Sequence, residues 1–192
     1  LEDMIKRHVM NPKLPRLLIW GAPGIAKTAI INHVVEVYKK EGLLDKGYEL
    51  IPKGLANETA DNFSLPRFVT DERGIERPVD VPKAWLPVYL PCSDPEENKK
   101  RSDASGSGLM FFDGLSRATS QVKNVLLPLI LEGKFDLFKL GEKWQIICAS
   151  NRDSDDDTGQ SALGTALGNR FYHAYFAPTY KWWRDWASRQ GY

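Results

Sequence analysis

An α/β fold, with a mostly parallel sheet covered by helices on both faces, is predicted by three observations. Short apolar runs recur at Leu17–Trp20, Leu109–Phe112, Trp144–Ala149 and Phe171–Phe176, each too short for a helix and each read as a buried strand. Stretches with helical spacing fall between them, as at Ile30, Ile31, Val34, Val35 and Tyr38. Strands alternating with helices are what a parallel sheet needs, because each parallel neighbour is reached by a crossover. With 192 residues and 42% hydrophobic side chains, the chain can build one domain with a real core.

The elements follow in order. Leu1, Met4, Ile5, His8 and Val9 predict a short amphipathic helix, so residues 1–16 read as an N-terminal helix and linker broken by Pro12 and Pro15. The strand Leu17–Trp20 leads through a Gly/Pro turn into a helix expected to stop near Gly42. Glu49–Gly54 is a second strand, weakened by Pro52. Asn57–Leu65 reads as a short helix or turn ended by Pro66. Residues 66–91, punctuated by Pro66, Pro78, Pro82, Pro87 and Pro91, read as an extended loop. Residues 93–108 are polar and Gly/Ser-rich, and read as a mobile loop.

After the strand Leu109–Phe112, a helix is expected over Arg117–Glu132, kinked at Pro128 and ended by Gly133. Phe135–Leu140 and Trp144–Ala149 read as two strands around Gly141. Residues 153–159 read as an acidic loop, Ser161–Leu167 as a short helix and Phe171–Phe176 as a fifth strand. Residues 17–178 thus form the core unit. Residues 179–192 start a final helix bearing Trp182, Trp183 and Trp186.

The most specific signal is the turn Gly21-Ala22-Pro23-Gly24-Ile25-Ala26-Lys27-Thr28. A strand before it and a helix after it make it a phosphate-cradling loop. Glycines let backbone N–H groups approach phosphate oxygens, and the helix dipole points its positive end at them. Lys27 would reach the β- and γ-phosphates, and Thr28 would offer its hydroxyl to Mg²⁺, so ATP or ADP with Mg²⁺ is the expected ligand. Ala26 replaces the second glycine of the usual motif; read as entering the helix, it carries no penalty.

Further elements narrow the chemistry. Phe111-Phe112-Asp113 is an apolar strand ending in a carboxylate, suited to holding Mg²⁺ with Thr28. Asn151 ends the strand Ile146–Ser150; it could hydrogen-bond a γ-phosphate or an attacking water, or simply close a turn. Arg170 precedes the fifth strand; it could neutralise charge on a γ-phosphate, or form a surface ion pair.

Composition excludes several classes. The net charge of +1 gives no overall basic excess for nucleic acid, although Lys181, Arg184 and Arg189 among the C-terminal tryptophans keep that alternative open. His8, His33 and His173 share no metal-ligand spacing. Cys92 and Cys148 make no disulfide framework, which points to a reducing, intracellular (cytoplasmic) setting. The sequence holds no signal peptide and no membrane-length apolar run, so no membrane partner is expected.

Taken together, these segments resemble the AAA+ ATPases of the MoxR-like and dynein-related type. GAPGIAKT resembles that group's phosphate loop, Ala26 included. FFDGLSRAT resembles its Walker B strand and following helix; CASNR its sensor-1 strand; ALGNRF its arginine-finger segment. Leu65-Pro66, the stretch Pro82–Pro87 and the start of a lid at Trp183–Ala187 are similar too. The resemblance implies a three-layer αβα sandwich with five strands in the order 5-1-4-3-2 and nucleotide at their carboxyl ends. It also implies an ATPase subunit of a ring, usually a hexamer of like copies, that remodels a macromolecule the sequence does not specify. Arg170 would then act in trans on a neighbour's nucleotide.

Two departures stand out. The family's catalytic glutamate follows the Walker B aspartate, and here that position is Gly114. Glycine cannot activate water, and a general base contributes about 10²–10⁴-fold, so very slow turnover is expected. Hence the alternative reading, a hydrolysis-deficient subunit kept for assembly; a glutamate restored at 114 should raise turnover if the rest of the site is competent. Ser116 also replaces a common asparagine, and the acidic run Asp153, Asp155, Asp156 and Asp157 is a remote substitute base. Second, the chain starts at Leu1 and ends at Tyr192 where a helical lid should begin, as expected of a trimmed piece or a version largely without a lid.

Overall fold

The computed structural model describes residues 1–70, 74–151 and 169–190. Helix α1 spans Glu2–Met10, and strand β1 Leu17–Trp20. Helix α2 spans Lys27–Lys40, β2 Glu49–Gly54, β3 Ser64–Thr70, β4 Glu76–Pro82 and β5 Val88–Tyr89. Next come α3 over Pro95–Ala104, β6 over Gly108–Asp113 and α4 over Ser120–Glu132. The series closes with β7 (Lys134–Phe135), β8 (Phe138–Leu140), β9 (Trp144–Ser150), β10 (Tyr172–Tyr175) and α5 (Tyr180–Gln190).

Five strands form one sheet in the order β10-β1-β9-β6-β2, and every neighbouring pair is parallel. This is the order 5-1-4-3-2 expected for the five sequence-read strands. Successive side chains of a strand point to opposite faces, so each strand feeds two cores. Leu17, Ile19, Leu109, Phe111, Ile147 and Ala149 pack on one face with Ile5, Ile31, Val34 and Val35 of α1 and α2. Leu18, Met110, Phe112, Ile146 and Cys148 pack on the other with Val122, Leu126, Leu129 and Ile130 of α4. The three layers explain why β6 and β9 read as unbroken apolar runs: both of their faces are buried. Cys148 is fully buried, and burial pushes its thiol up well beyond the usual range; both cysteines are free. No helix among the described residues is long and apolar enough to cross a membrane.

Three segments differ from the sequence reading. Residues 66–91 are not an extended loop: β3 and β4 pair as an antiparallel ribbon, with Leu65 opposite Val81 and Phe68 opposite Pro78. A two-stranded ribbon has an outer edge on each strand, where a proline's missing N–H costs no ladder bond. Residues 95–104 of the polar stretch are helical. Asp94 caps α3 by accepting from Glu96 N at 2.9 Å, Pro95 takes the first turn, and Glu97 pairs with Arg101 at 3.2 Å. Ser102 is its only buried residue among those described, so no apolar period could betray it. Third, Phe135–Leu140 is a hairpin, β7 and β8, turned by Asp136 at φ 50° and Leu137 rather than by a glycine. Pro128 lies inside α4, which Thr119 caps and Gly133 ends at φ 65°.

The start of α2 is also different. Ala26 is the N-cap and is left-handed, with φ 68° and ψ 31°, so it does not enter the helix and its side chain is not free of cost. Left-handed backbone costs an L-residue roughly 1–2 kcal/mol. Ala26→Gly is therefore expected to raise unfolding stability by about 0.5–1 kcal/mol after allowing for glycine's freer unfolded chain. Urea midpoints compared at constant m-value check this; an equal or lower midpoint would contradict it.

Candidate phosphate-binding site

The loop between β1 and α2 is held at the carboxyl edge of the sheet. Gly21 N donates to Ser150 O at 3.2 Å, and Phe176 N donates to Trp20 O at 2.7 Å. A Cβ on Gly21 would lie 2.5 Å from the Phe176 carbonyl oxygen, so only glycine lets the loop pass this close to the end of β10. No side chain caps α2, and no carboxylate lies in its first turn. The positive end of its dipole therefore faces the loop with no acidic side chain of the helix's own first turn to offset it, which suits an anion.

Lys27 is 6% exposed and Asn151 is 5% exposed. The ammonium donates to Gly21 O at 2.8 Å, Ala22 O at 2.9 Å and Asn151 Oδ1 at 3.1 Å. A buried charge needs such partners, and here they come from the loop itself and from the end of β9. Beside it Thr28 Oγ1 donates to Asp113 Oδ2 at 3.2 Å, joining the start of α2 to the end of β6. A hydroxyl and a carboxylate side by side are hard oxygen donors of the kind Mg²⁺ takes, and a Mg²⁺ shared with phosphate needs only one or two carboxylates. The residues present fit that ion, although no cluster of three or more His, Cys, Asp or Glu occurs among the described residues.

Gly114 is buried, with φ 76° and ψ 38°, and its N–H donates to Ala149 O at 3.0 Å. Gly114 stands where the resemblance to AAA+ ATPases would place a glutamate. The backbone adds that this position is left-handed, where any side chain costs roughly 1–2 kcal/mol. Ser116 N donates to Ser150 Oγ at 3.1 Å, and Lys123 Nζ donates to Ser116 O at 2.8 Å. Burial lowers the Lys123 pKa. The buried Ser116 Oγ has no hydrogen-bond partner among the described residues. Ser150 and Lys123 were not singled out from the sequence, and no local signal could have done so: Ser116 and Ser150 lie 34 positions apart.

The structure thus brings Lys27, Thr28, Asp113, Gly114 and Asn151 together at one end of the sheet. Arg170 is not among them. β1 and β10 are parallel with Trp20 level with Tyr175, so Arg170 sits at the opposite, amino end of the edge strand. Arg170 lies in the turn before β10, and the three extended steps from Tyr172 to Tyr175 alone span roughly 10 Å. Arg170 is exposed. The acidic run at 153–157 and the expected short helix at 161–167 lie outside the described residues.

No family model matches this chain, and none of the curated proteins matches it. Solved structures do. A candidate ATPase from Cytophaga hutchinsonii ATCC 33406 aligns over 99% of this chain and 50% of its own, at 14% identity and a TM-score of 0.58. NtrX from Brucella abortus aligns over 91% of this chain and 36% of its own, at 10% identity and a TM-score of 0.50. The chain therefore spans 50% of the first protein's length and 36% of the second's. At such identities the likeness concerns the fold. With the parallel sheet order and the loop between β1 and α2, it shows an α/β fold of the P-loop kind.

Proposed function

We propose that this chain is an ATP-binding subunit of a ring-forming AAA+ remodelling assembly, of the MoxR-like type, and that it holds its nucleotide far longer than it takes other ATPases to turn one over. The observation that carries the reading is the buried Lys27 ammonium, held by Gly21 O, Ala22 O and Asn151 Oδ1 at an uncapped helix N-terminus. Polyphosphate would take backbone N–H groups of the loop after Pro23 and of the first turn of α2, and Lys27 would exchange carbonyl partners for phosphate oxygens. Thr28 and Asp113 would hold Mg²⁺, whose charge would offset that of the phosphates when bound.

Asn151 would orient the terminal phosphate or a water. Gly114 lacks a base, and its left-handed backbone gives a glutamate no relaxed way in. Arg170 precedes β10 at the amino end of the sheet, away from the phosphate loop at its carboxyl end, which supports a role on a neighbouring copy's nucleotide. The macromolecule acted on is set by parts of the surface that nucleotide chemistry does not reveal.

Three outcomes are expected. Lys27→Ala should abolish binding of a fluorescent ATP or ADP in the presence of Mg²⁺ while leaving the circular dichroism spectrum intact; parent-like binding would overturn the nucleotide reading. Phosphate release by the parent should be barely above background, and Gly114→Glu should fail to restore turnover and should lower stability by about 1–2 kcal/mol. Robust release that Lys27→Ala removes would contradict the first half; strong rescue by glutamate would contradict the second. Sedimentation with a non-hydrolysable ATP analogue should show nucleotide-favoured assembly that Arg170→Ala weakens. A monomer under every condition would count against a ring of these chains.

A further inference from the structure

Arg117 has no part in the site as described so far, yet its side chain lies against it. Gly114 turns the chain through its left-handed conformation directly after Asp113, and Arg117 N then donates to Gly114 O at 3.0 Å. This tight turn folds the arginine back over the glycine. A Cβ on Gly114 would lie 3.4 Å from both Nε and Nη2 of Arg117, so the guanidinium rests on the bare Cα, in the sector a side chain at 114 would fill. Glycine at 114 therefore does two things. It removes a carboxylate, and it opens a place where a cation sits.

The guanidinium is exposed and makes no hydrogen bond or ion pair among the described residues. Two other arginines differ: Arg16 donates to Ile130 O and Gln145 Oε1, and Arg101 to Leu90 O and Glu97. Arg117 thus keeps a fork of donors open next to the Asp113–Thr28 pair. Lys27 lies on the loop side of that pair, bonded to Asn151. Lys27 and Arg117 thus bring two cationic side chains to the end of the sheet where Asp113 supplies a carboxylate, and such a pair of cations suits a ligand carrying more than one negative charge.

We propose that Arg117 binds the terminal phosphate of the chain's own nucleotide, so that this site selects a nucleoside triphosphate over a diphosphate. The inference rests on the nucleotide reading above and adds to it the residue that tells the two ligands apart. The α- and β-phosphates belong to the loop and to Lys27; only a third phosphate would extend past Thr28 and Asp113 to Gly114 and meet the guanidinium. Its planar fork suits two phosphate oxygens at once, which a lysine cannot match. Nothing in this arrangement activates water. Arg117 would hold the terminal phosphate in place, which agrees with slow turnover.

The test is a titration of the full chain with fluorescent ATPγS and fluorescent ADP, each with Mg²⁺, for the parent, Arg117→Ala, Arg117→Lys and Lys27→Ala. Arg117→Ala is expected to weaken ATPγS binding about tenfold or more, as for loss of a charge-assisted bond, and to change ADP binding less than twofold. Arg117→Lys should recover part of the difference. If Arg117→Ala weakens both ligands alike, or neither, the assignment of Arg117 is wrong while the nucleotide reading stands. If the parent binds neither ligand, both readings fall together. Because Arg117 is exposed, its truncation should leave the unfolding midpoint unchanged; a large drop would make the residue structural and overturn the proposal.

Discussion

Everything at the candidate site depends on the strand register of the central sheet. Trp20 is level with Ser150, and Phe112 with Cys148, so β1, β9 and β6 end side by side. Gly21 just after β1, Asn151 just after β9 and Asp113, the last residue of β6, meet the first two residues of α2, Lys27 and Thr28. The register is set by burial rather than by the site. Leu17 and Ile19 face one core and Leu18 the other, and a slip of one residue would turn each apolar set the wrong way. The core therefore aligns the polar groups, although none of its side chains touches them for that purpose.

Of the left-handed residues at this arrangement, Ala26 and Gly114 have different consequences. At Ala26 the backbone needs what glycine provides, and the chain accepts a methyl group in a costly conformation at the start of α2. At Gly114 the residue and the conformation agree, and the agreement excludes a side chain where a general base would stand. The strand–loop–helix cradle, by contrast, is complete: an uncapped helix end, a buried lysine with three acceptors, and a hydroxyl beside a carboxylate. A cradle suited to holding phosphate, next to a glycine that offers no proton acceptor, is the physical ground of the proposal that this chain retains its ligand.

The elements around the sheet are built on other principles. The β3–β4 ribbon uses proline on strands with open edges, and α3 is held by its cap, an ion pair and tethers rather than by a buried stripe. Asn98 exchanges two hydrogen bonds with the backbone of Cys92, and Trp144 Nε1 donates to Ser105 O at 2.7 Å, pinning both ends of α3 to the body. Such polar anchoring leaves no period in a sequence. That is why residues 93–108 read as a loop and residues 66–91 as an extended connection, while the buried strands read correctly.

The sequence by itself determined the α/β class, the five strands of the sheet and the strand–loop–helix unit of the candidate phosphate loop, whereas the strand order was an expectation of the family resemblance. Burial on both faces turns Leu17–Trp20, Leu109–Phe112 and Trp144–Ala149 into apolar runs, and the loop's glycines and Lys27-Thr28 are contiguous. It also revealed the missing carboxylate at Gly114, because an absence at a motif position is visible in one dimension. Only the tertiary structure decided the rest. The bond from Lys27 to Asn151 spans 124 positions, and that from Thr28 to Asp113 spans 85. The backbone angles at Ala26 and Gly114, the return of Arg117 over Gly114 and the remoteness of Arg170 from its own loop arise from turns and strand direction. Residue types name the chemical groups, but the distance between two groups far apart in the chain is set by how the sheet packs.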